Sequence, residues 1–219
     1  MSLQSFLRAA VLYLVPMILS LSVHEFAHAL VATRLGDDTP EREERLTLSP
    51  AAHVDVWGTF LVPLMSILFT GHAYIGWARP VNVNPSRFRR GINMRSGMAL
   101  TAVAGPLSNL LLAVLSVALF LGLGRTSVFA SATGSSFADL LKAMFHVNIG
   151  LCVFNLLPIP PLDGSRLLPR SMDDLVEKMG QWSFLLIMVV LSVRPVRTLL
   201  IDLPVELLGA AVLKLFGLG

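Results

Sequence analysis

Charge is what this sequence has least of. Only 14% of its 219 residues are Asp, Glu, Lys or Arg, against about 25% in a soluble domain. Hydrophobic residues make up 54%, so the composition excludes an ordinary water-soluble globule and predicts a membrane protein embedded in a lipid bilayer. Lysine is nearly absent: Lys142, Lys178 and Lys214 are the only three among 17 cationic residues. The net charge of +3 then reports membrane topology, and no nucleic-acid partner is expected. A lone cysteine, Cys152, lies in an apolar run and excludes an internal disulfide; it reads as a packed small hydrophobe. No small-residue cleavage site follows the first apolar run, so a cleaved signal peptide is not expected. Low-complexity tails and internal repeats are missing too, and charge-free segments fill most of the length. One intramembrane domain over residues 1–219 is expected, with a core at 9–170, C-terminal helices at 179–218 and no appended sensory or docking module.

What is present is a series of charge-poor runs. The first, Ala9 to Thr33, contains Pro16 as a possible kink. Others cover Val56 to Ala78, Ser96 to Gly124, Ala143 to Leu162 and Met179 to Val193, the last extensible toward Leu200. Leu203 to Leu218 carries Glu206 and Lys214 and fits either a short span or an interfacial helix. The expected fold is an all-α polytopic membrane protein of about five to six transmembrane helices. Arg79, Arg87, Arg89, Arg90 and Arg95 crowd one acid-free connection, which the positive-inside rule assigns to the cytoplasm. Asp163 then falls on the cytoplasmic side, and the first helix must run inward to bring its C-terminal end there. The run Val56 to Ala78 starts and ends on that same side, which predicts a re-entrant hairpin broken at Pro63, Gly71 or Gly76. Arg45 to Leu48 and Pro80 to Pro85 alternate and predict short β-strands flanking it.

Within the first run, His24, Glu25 and His28 are the only charged or imidazole side chains, in the pattern His-Glu-x-x-His. Residues four apart share a helix face, so both imidazoles can reach one metal ion with Glu25 beside them as a base for water. Ionisable groups at membrane depth are costly and by default mark function. A catalytic zinc site wants three protein ligands; the candidates for the third are His53, Asp55, His72, His146, Cys152 and Asp163. His146 and Cys152 lie too far from the cytoplasmic side. Asp163 fits better, after the proline turn Leu157 to Leu162 and before Gly164.

Three segments together resemble the site-2 protease family of intramembrane zinc metalloproteases, in its small form without PDZ or CBS domains. They are His24 to His28, Ala104-Gly105-Pro106-Leu107-Ser108-Asn109, and Phe154-Asn155-Leu156-Leu157-Pro158-Ile159-Pro160-Pro161-Leu162-Asp163-Gly164. The resemblance covers most of residues 15 to 170 and is weakest from Thr59 to Ile75. It implies that His24, His28 and Asp163 bind one Zn2+ per chain, that Glu25 is the catalytic acid/base, and that Asn155 holds the substrate carbonyl or oxyanion. It further implies transmembrane protein substrates, cut in regulated intramembrane proteolysis or in clearance of signal-peptide remnants, at the cell (cytoplasmic) membrane with the site toward the cytoplasm. The sequence leaves oligomeric state open.

Gly105 and Asn109 lie one turn apart, and the small residue permits close helix approach while Asn109 bonds across; packing support near the site is expected of them and of Asn148. His53 and Asp55 precede the hairpin as a possible entrance. Val81 to Val83, or Leu46 to Leu48, offers an edge to an unwound substrate. The competing class is a non-enzymatic metal-binding channel or transporter, which needs no general base and should spread polar residues over several depths.

Overall fold

The computed structural model describes residues 2–70 and 76–218, and every regular element among them is helical. Besides short 3-10 and π-helical turns, the α-helices in chain order are α1 (Leu3–Leu35), α2 (Thr39–Arg42), α3 (Pro50–His53), α4 (Val62–Thr70), α5 (Met94–Gly124), α6 (Ala132–Asn155), α7 (Asp173–Gln181), α8 (Ser183–Ser192), α9 (Arg194–Arg197) and α10 (Leu203–Lys214). Among the described residues three helices, α1, α5 and α6, are long and apolar enough to cross a membrane, or four with α7 and α8 taken as one bent span. That is fewer than the five to six suggested by the charge-poor runs. At 33 residues α1 is about 50 Å long, well beyond a bilayer core of about 30 Å.

The three long helices form the bundle, with α5 packed against both α1 and α6. Ala113, Val117, Phe145, Ile149 and Val212 fill the contact among α5, α6 and α10. The outward faces keep Leu100, Leu107, Leu111 and Leu115 of α5 exposed, as a helix facing lipid should. Ser2 caps α1 and Asn93 caps α5 by accepting from the second or third amide inside each helix, and Gly36 ends α1 at φ 111°, a left-handed cap that suits glycine.

Several boundaries depart from expectation. The span expected at Ala143 to Leu162 begins earlier and ends at Asn155, because Asp139 and Lys142 are accommodated inside α6: Asp139 pairs with Arg8 at 2.7 Å. The run from Met179 toward Leu200 is not one helix. It breaks between α7 and α8, where the chain bends by 81°, and again at Val193 ahead of Pro195.

No strand occurs among the described residues, which corrects the expectation at Arg45 to Leu48 and at Pro80 to Pro85. The first segment bends after Glu44 (φ 55°) and sends the Arg45 guanidinium inward to the carbonyls of Ala52 and Arg79. The second is extended but unladdered, since Pro80 and Pro85 have no N–H and side-chain carboxylates take other donors. Asp37 accepts from the Asn84 N–H at 2.6 Å, and Glu25 accepts from that of Val81.

A π-helical turn at Val56–Leu61 leads into α4. Its apolar helix Val56–Phe69 spans only about 21 Å. The chain then returns to its starting point: Arg79 N–H donates to the His53 carbonyl at 2.8 Å and Trp77 N–H to that of Gly58 at 3.2 Å. Of the three expected breakpoints, Pro63 sits in the first turn of α4 and Gly76 in the extended return, whereas Gly71, like His72, lies outside the described residues.

Candidate functional site

His24, Glu25 and His28 occupy the inward face of α1 and are all buried. Their i, i+4 spacing puts His24 Nε2 and His28 Nε2 3.0 Å apart, with the rings crossed at 86°. Asp163 Oδ2 completes a triangle at 3.2 Å from His24 Nε2 and 3.1 Å from His28 Nε2.

Asp163 reaches this point through the turn that follows α6. Leu157 and Ile159 are buried against Val190 of α8, fixing the turn from behind. The Pro160–Pro161 bond is cis. Gly164 lets the chain fold back onto the end of α6, because a Cβ there would overlap the Leu156 carbonyl. The turn is tied to α5 by Arg95, which donates to Leu168 and forks onto Asp173 at 2.9 and 3.0 Å. Arg95 holds the Asp173 carboxyl below its usual range.

Both rings use their other nitrogen. His28 Nδ1 lies 2.6 Å from the Thr101 carbonyl, an acceptor only, so a neutral His28 carries its hydrogen there and turns a bare Nε2 inward. His24 Nδ1 lies 2.6 Å from Asn109 Oδ1, and Asn109 Nδ2 donates to Asn148 Oδ1 at 2.9 Å. Gly105 makes the closeness of α1 and α5 possible: a Cβ there would collide with His28 Nε2 and come within 2.6 Å of His24 Nε2. Two imidazole nitrogens and a carboxylate oxygen thus converge from two chain segments, the donor set of a three-ligand zinc site. No other set of three His, Cys, Asp or Glu among the described residues has this closeness.

Glu25, next to His24 on α1, is buried, with Oε2 accepting from Val81 N–H at 2.9 Å. Asn155, at the end of α6, donates Nδ2 to the Leu151 carbonyl at 3.0 Å and is half-buried. His53 and Asp55 stand outside the triangle. His53 is buried with Nε2 on the Thr47 carbonyl, and Asp55 caps the π-helical turn through the Gly58 N–H. His146 packs edge-on to Phe145, and Cys152 is buried as a small hydrophobe. A cavity of about 340 Å³ between α1, α6 and the C-terminal helices is lined by Met17, His146, Leu151 and Phe154, and by none of His24, Glu25, His28 and Asp163.

Sequence reasoning missed the Thr101 carbonyl, the Val81 N–H and the buried Arg45. The first two are main-chain groups with no residue-type signature. Arg45 carried one weak signal, its place among charged loop residues, and nothing there distinguished it from a solvated arginine.

Residues 125–193 match the family model described as "Peptidase family M50". YwhC of Bacillus subtilis (strain 168), named a putative zinc metalloprotease, is 39% identical over 165 residues, which cover 74% of this chain and 68% of that protein. Rip2 of Mycolicibacterium smegmatis, with the same description, is 29% identical over 85% of this chain and 69% of its own length. Rip2 of Mycobacterium tuberculosis is 30% identical over 67% of this chain and 52% of its own length. No solved structure matches.

Proposed function

Because this chain belongs to peptidase family M50, the site-2 protease family, we propose that it is a zinc-dependent endopeptidase hydrolysing peptide bonds within or next to transmembrane segments of other membrane proteins. The observation that carries this reading is the triangle of His24, His28 and Asp163, no side longer than 3.2 Å, set among apolar helices with Glu25 alongside. In this reading those three residues hold one zinc ion per chain. When bound, zinc supplies Lewis-acid chemistry, polarising a carbonyl and acidifying water.

Glu25 takes a proton from the attacking water as its oxygen bonds to the scissile carbon. The same carboxyl later delivers the proton to the departing amide nitrogen as the C–N bond breaks. Val81 N–H engages Oε2, leaving Oε1 for the water. Asn155 serves as oxyanion donor by turning an amide hydrogen from its own helix toward the substrate, an interaction of about 3 kcal/mol in comparable sites. The apolar cavity against Met17 and Phe154 suits an apolar segment rather than a soluble peptide.

The topology follows from charge. The arginines between residues 79 and 95 hold that connection in the cytoplasm, so the protein is a multi-pass component of the cell membrane with its site toward the cytoplasmic side. The hairpin of α4 is re-entrant, its two ends joined at His53 and Arg79. Residues 1–219 act as one catalytic domain. Release of an anchored signalling protein and clearance of signal-peptide remnants are the roles that fit.

The test is reconstitution of the purified protein in lipid with single-span substrates. Wild type should release a fragment cut in or beside the span, and Glu25→Gln should not. Equal cleavage by the two would refute the assignment.

A further inference from the structure

The two imidazoles are oriented by different kinds of group. His28 faces a main-chain carbonyl, which cannot reverse its polarity. His24 faces the side-chain amide of Asn109, and a primary amide turned end for end offers NH2 in place of oxygen at almost the same shape. With oxygen toward the ring, Nδ1 carries the hydrogen and Nε2 is a free lone pair. With nitrogen toward the ring, Nδ1 must accept, the hydrogen moves to Nε2, and that atom can no longer ligate. Asn109 alone therefore does not determine whether His24 can bind a metal.

We propose that Asn148, which lies outside the His24, His28 and Asp163 triangle, is the positioning residue that fixes the direction of the Asn109 amide and so the metal-binding tautomer of His24. The inference rests on reading His24 as a metal ligand. Its argument starts at the Met144 carbonyl, which can only accept. Asn148 must present Nδ2 to it, at 2.8 Å, and therefore turns Oδ1 to Asn109. Asn109 must answer with Nδ2, at 2.9 Å, and therefore turns Oδ1 to His24, at 2.6 Å. The ring then has its hydrogen on Nδ1 and its lone pair on Nε2, toward His28 and Asp163.

Reversing any one amide sets two oxygens or two NH2 groups against each other, and reversing both sets the Asn148 oxygen against that of Met144. Both asparagines are 0% exposed, so solvent is not there to satisfy a reversed arrangement, and a mismatched buried pair costs the full desolvation of its groups. The polarity of one carbonyl on α6 is thus relayed across α5 to a side chain on α1.

The experiment measures zinc affinity, by competition with a chelator, on the full chain in detergent, together with helical content. Asn148→Leu keeps the volume and removes the acceptor; its zinc affinity should fall 10- to 100-fold. Adding Asn109→Asp should restore it, because a carboxylate offers the ring an oxygen whichever way it turns. A role in packing alone would leave the double variant no tighter than the single one, and that result would overturn the inference. Undiminished affinity in Asn148→Leu, with affinity lost in His24→Ala, would overturn it while leaving the site intact; undiminished affinity in His24→Ala would overturn both. If Asn148→Leu does not fold, 15N spectra of histidine-labelled, metal-free wild type decide the matter. Hydrogen on Nδ1 of His24 is expected, with or without a second on Nε2 facing Asp163, and hydrogen on Nε2 with a bare Nδ1 would contradict the relay.

Discussion

Val81 donates its main-chain N–H to the Glu25 carboxylate across 2.9 Å, linking the extended segment ahead of α5 to the residue proposed as the base. The alternation of Pro80 to Pro85 suggested an edge for an unwound substrate. In the folded chain this N–H is already engaged. Val81→Pro should lower cleavage roughly 10- to 100-fold, as expected for losing a hydrogen bond to a charged group of about 1.5–3 kcal/mol, with zinc retained. Val83 N–H meets none of the described residues, so Val83→Pro should cleave nearly as wild type. Equal losses in both would favour strand addition by the substrate over the Glu25 contact.

Gly105 is where a methyl group should do most harm. A Cβ there would enter the space of both Nε2 atoms, whereas one at Gly122 on the same helix meets nothing within 4 Å. Gly105→Ala should lower zinc content per chain at least tenfold with helical content unchanged. Gly122→Ala should bind zinc normally and be slightly more stable, by about 0.5–1 kcal/mol. Metal analysis and thermal melts of the two variants check this.

Arg95 and Asp173 make a pH-sensitive clamp on the turn that carries Asp163. The folded carboxyl of Asp173 is held low, first by its hydrogen bonds to Arg95. Its stabilising contribution is therefore complete above the ordinary carboxylate pKa of about 3.9 and fades as pH falls through the lowered folded value. Wild type should melt above Arg95→Gln at pH 7, and the gap should narrow at acid pH. The effect is small because the pair is exposed; a gap independent of pH would mean that the Leu168 contact carries it.

Much of this was legible in the residues. The first and third runs lie within α1 and α5, and His24, Glu25 and His28 stand out in the sequence because charge and imidazole are rare at such depth, whereas Asp163 is one of six candidates there and is singled out as a ligand by the family resemblance. The start of α6 was not, since Asp139 and Lys142 read as a loop until Arg8 is seen to neutralise Asp139 from another helix. The extended segments were legible as extended but not as strands. Which groups receive their N–H donors depends on Asp37 and Glu25, 47 and 56 positions away in sequence. The relay through Asn109 and Asn148 was legible only as packing, because hydrogen-bond direction is a property of three side chains and a carbonyl taken together.

Removing the negative charge of the proposed ligand Asp163 should separate metal binding from fold. Asp163→Asn keeps the shape of the side chain while replacing a charged ligand with a neutral amide, and should lose zinc with the bundle intact. A zinc content equal to wild type would exclude Asp163 from the site.

X-ray absorption at the zinc edge of the purified full chain tests the central claim most directly. Two imidazole nitrogens at about 2.0–2.1 Å and a carboxylate oxygen at about 2.0–2.2 Å are expected, with the oxygen shell altered in Asp163→Asn and the imidazole signal reduced in His24→Ala. A coordination shell unchanged by both substitutions would contradict the account.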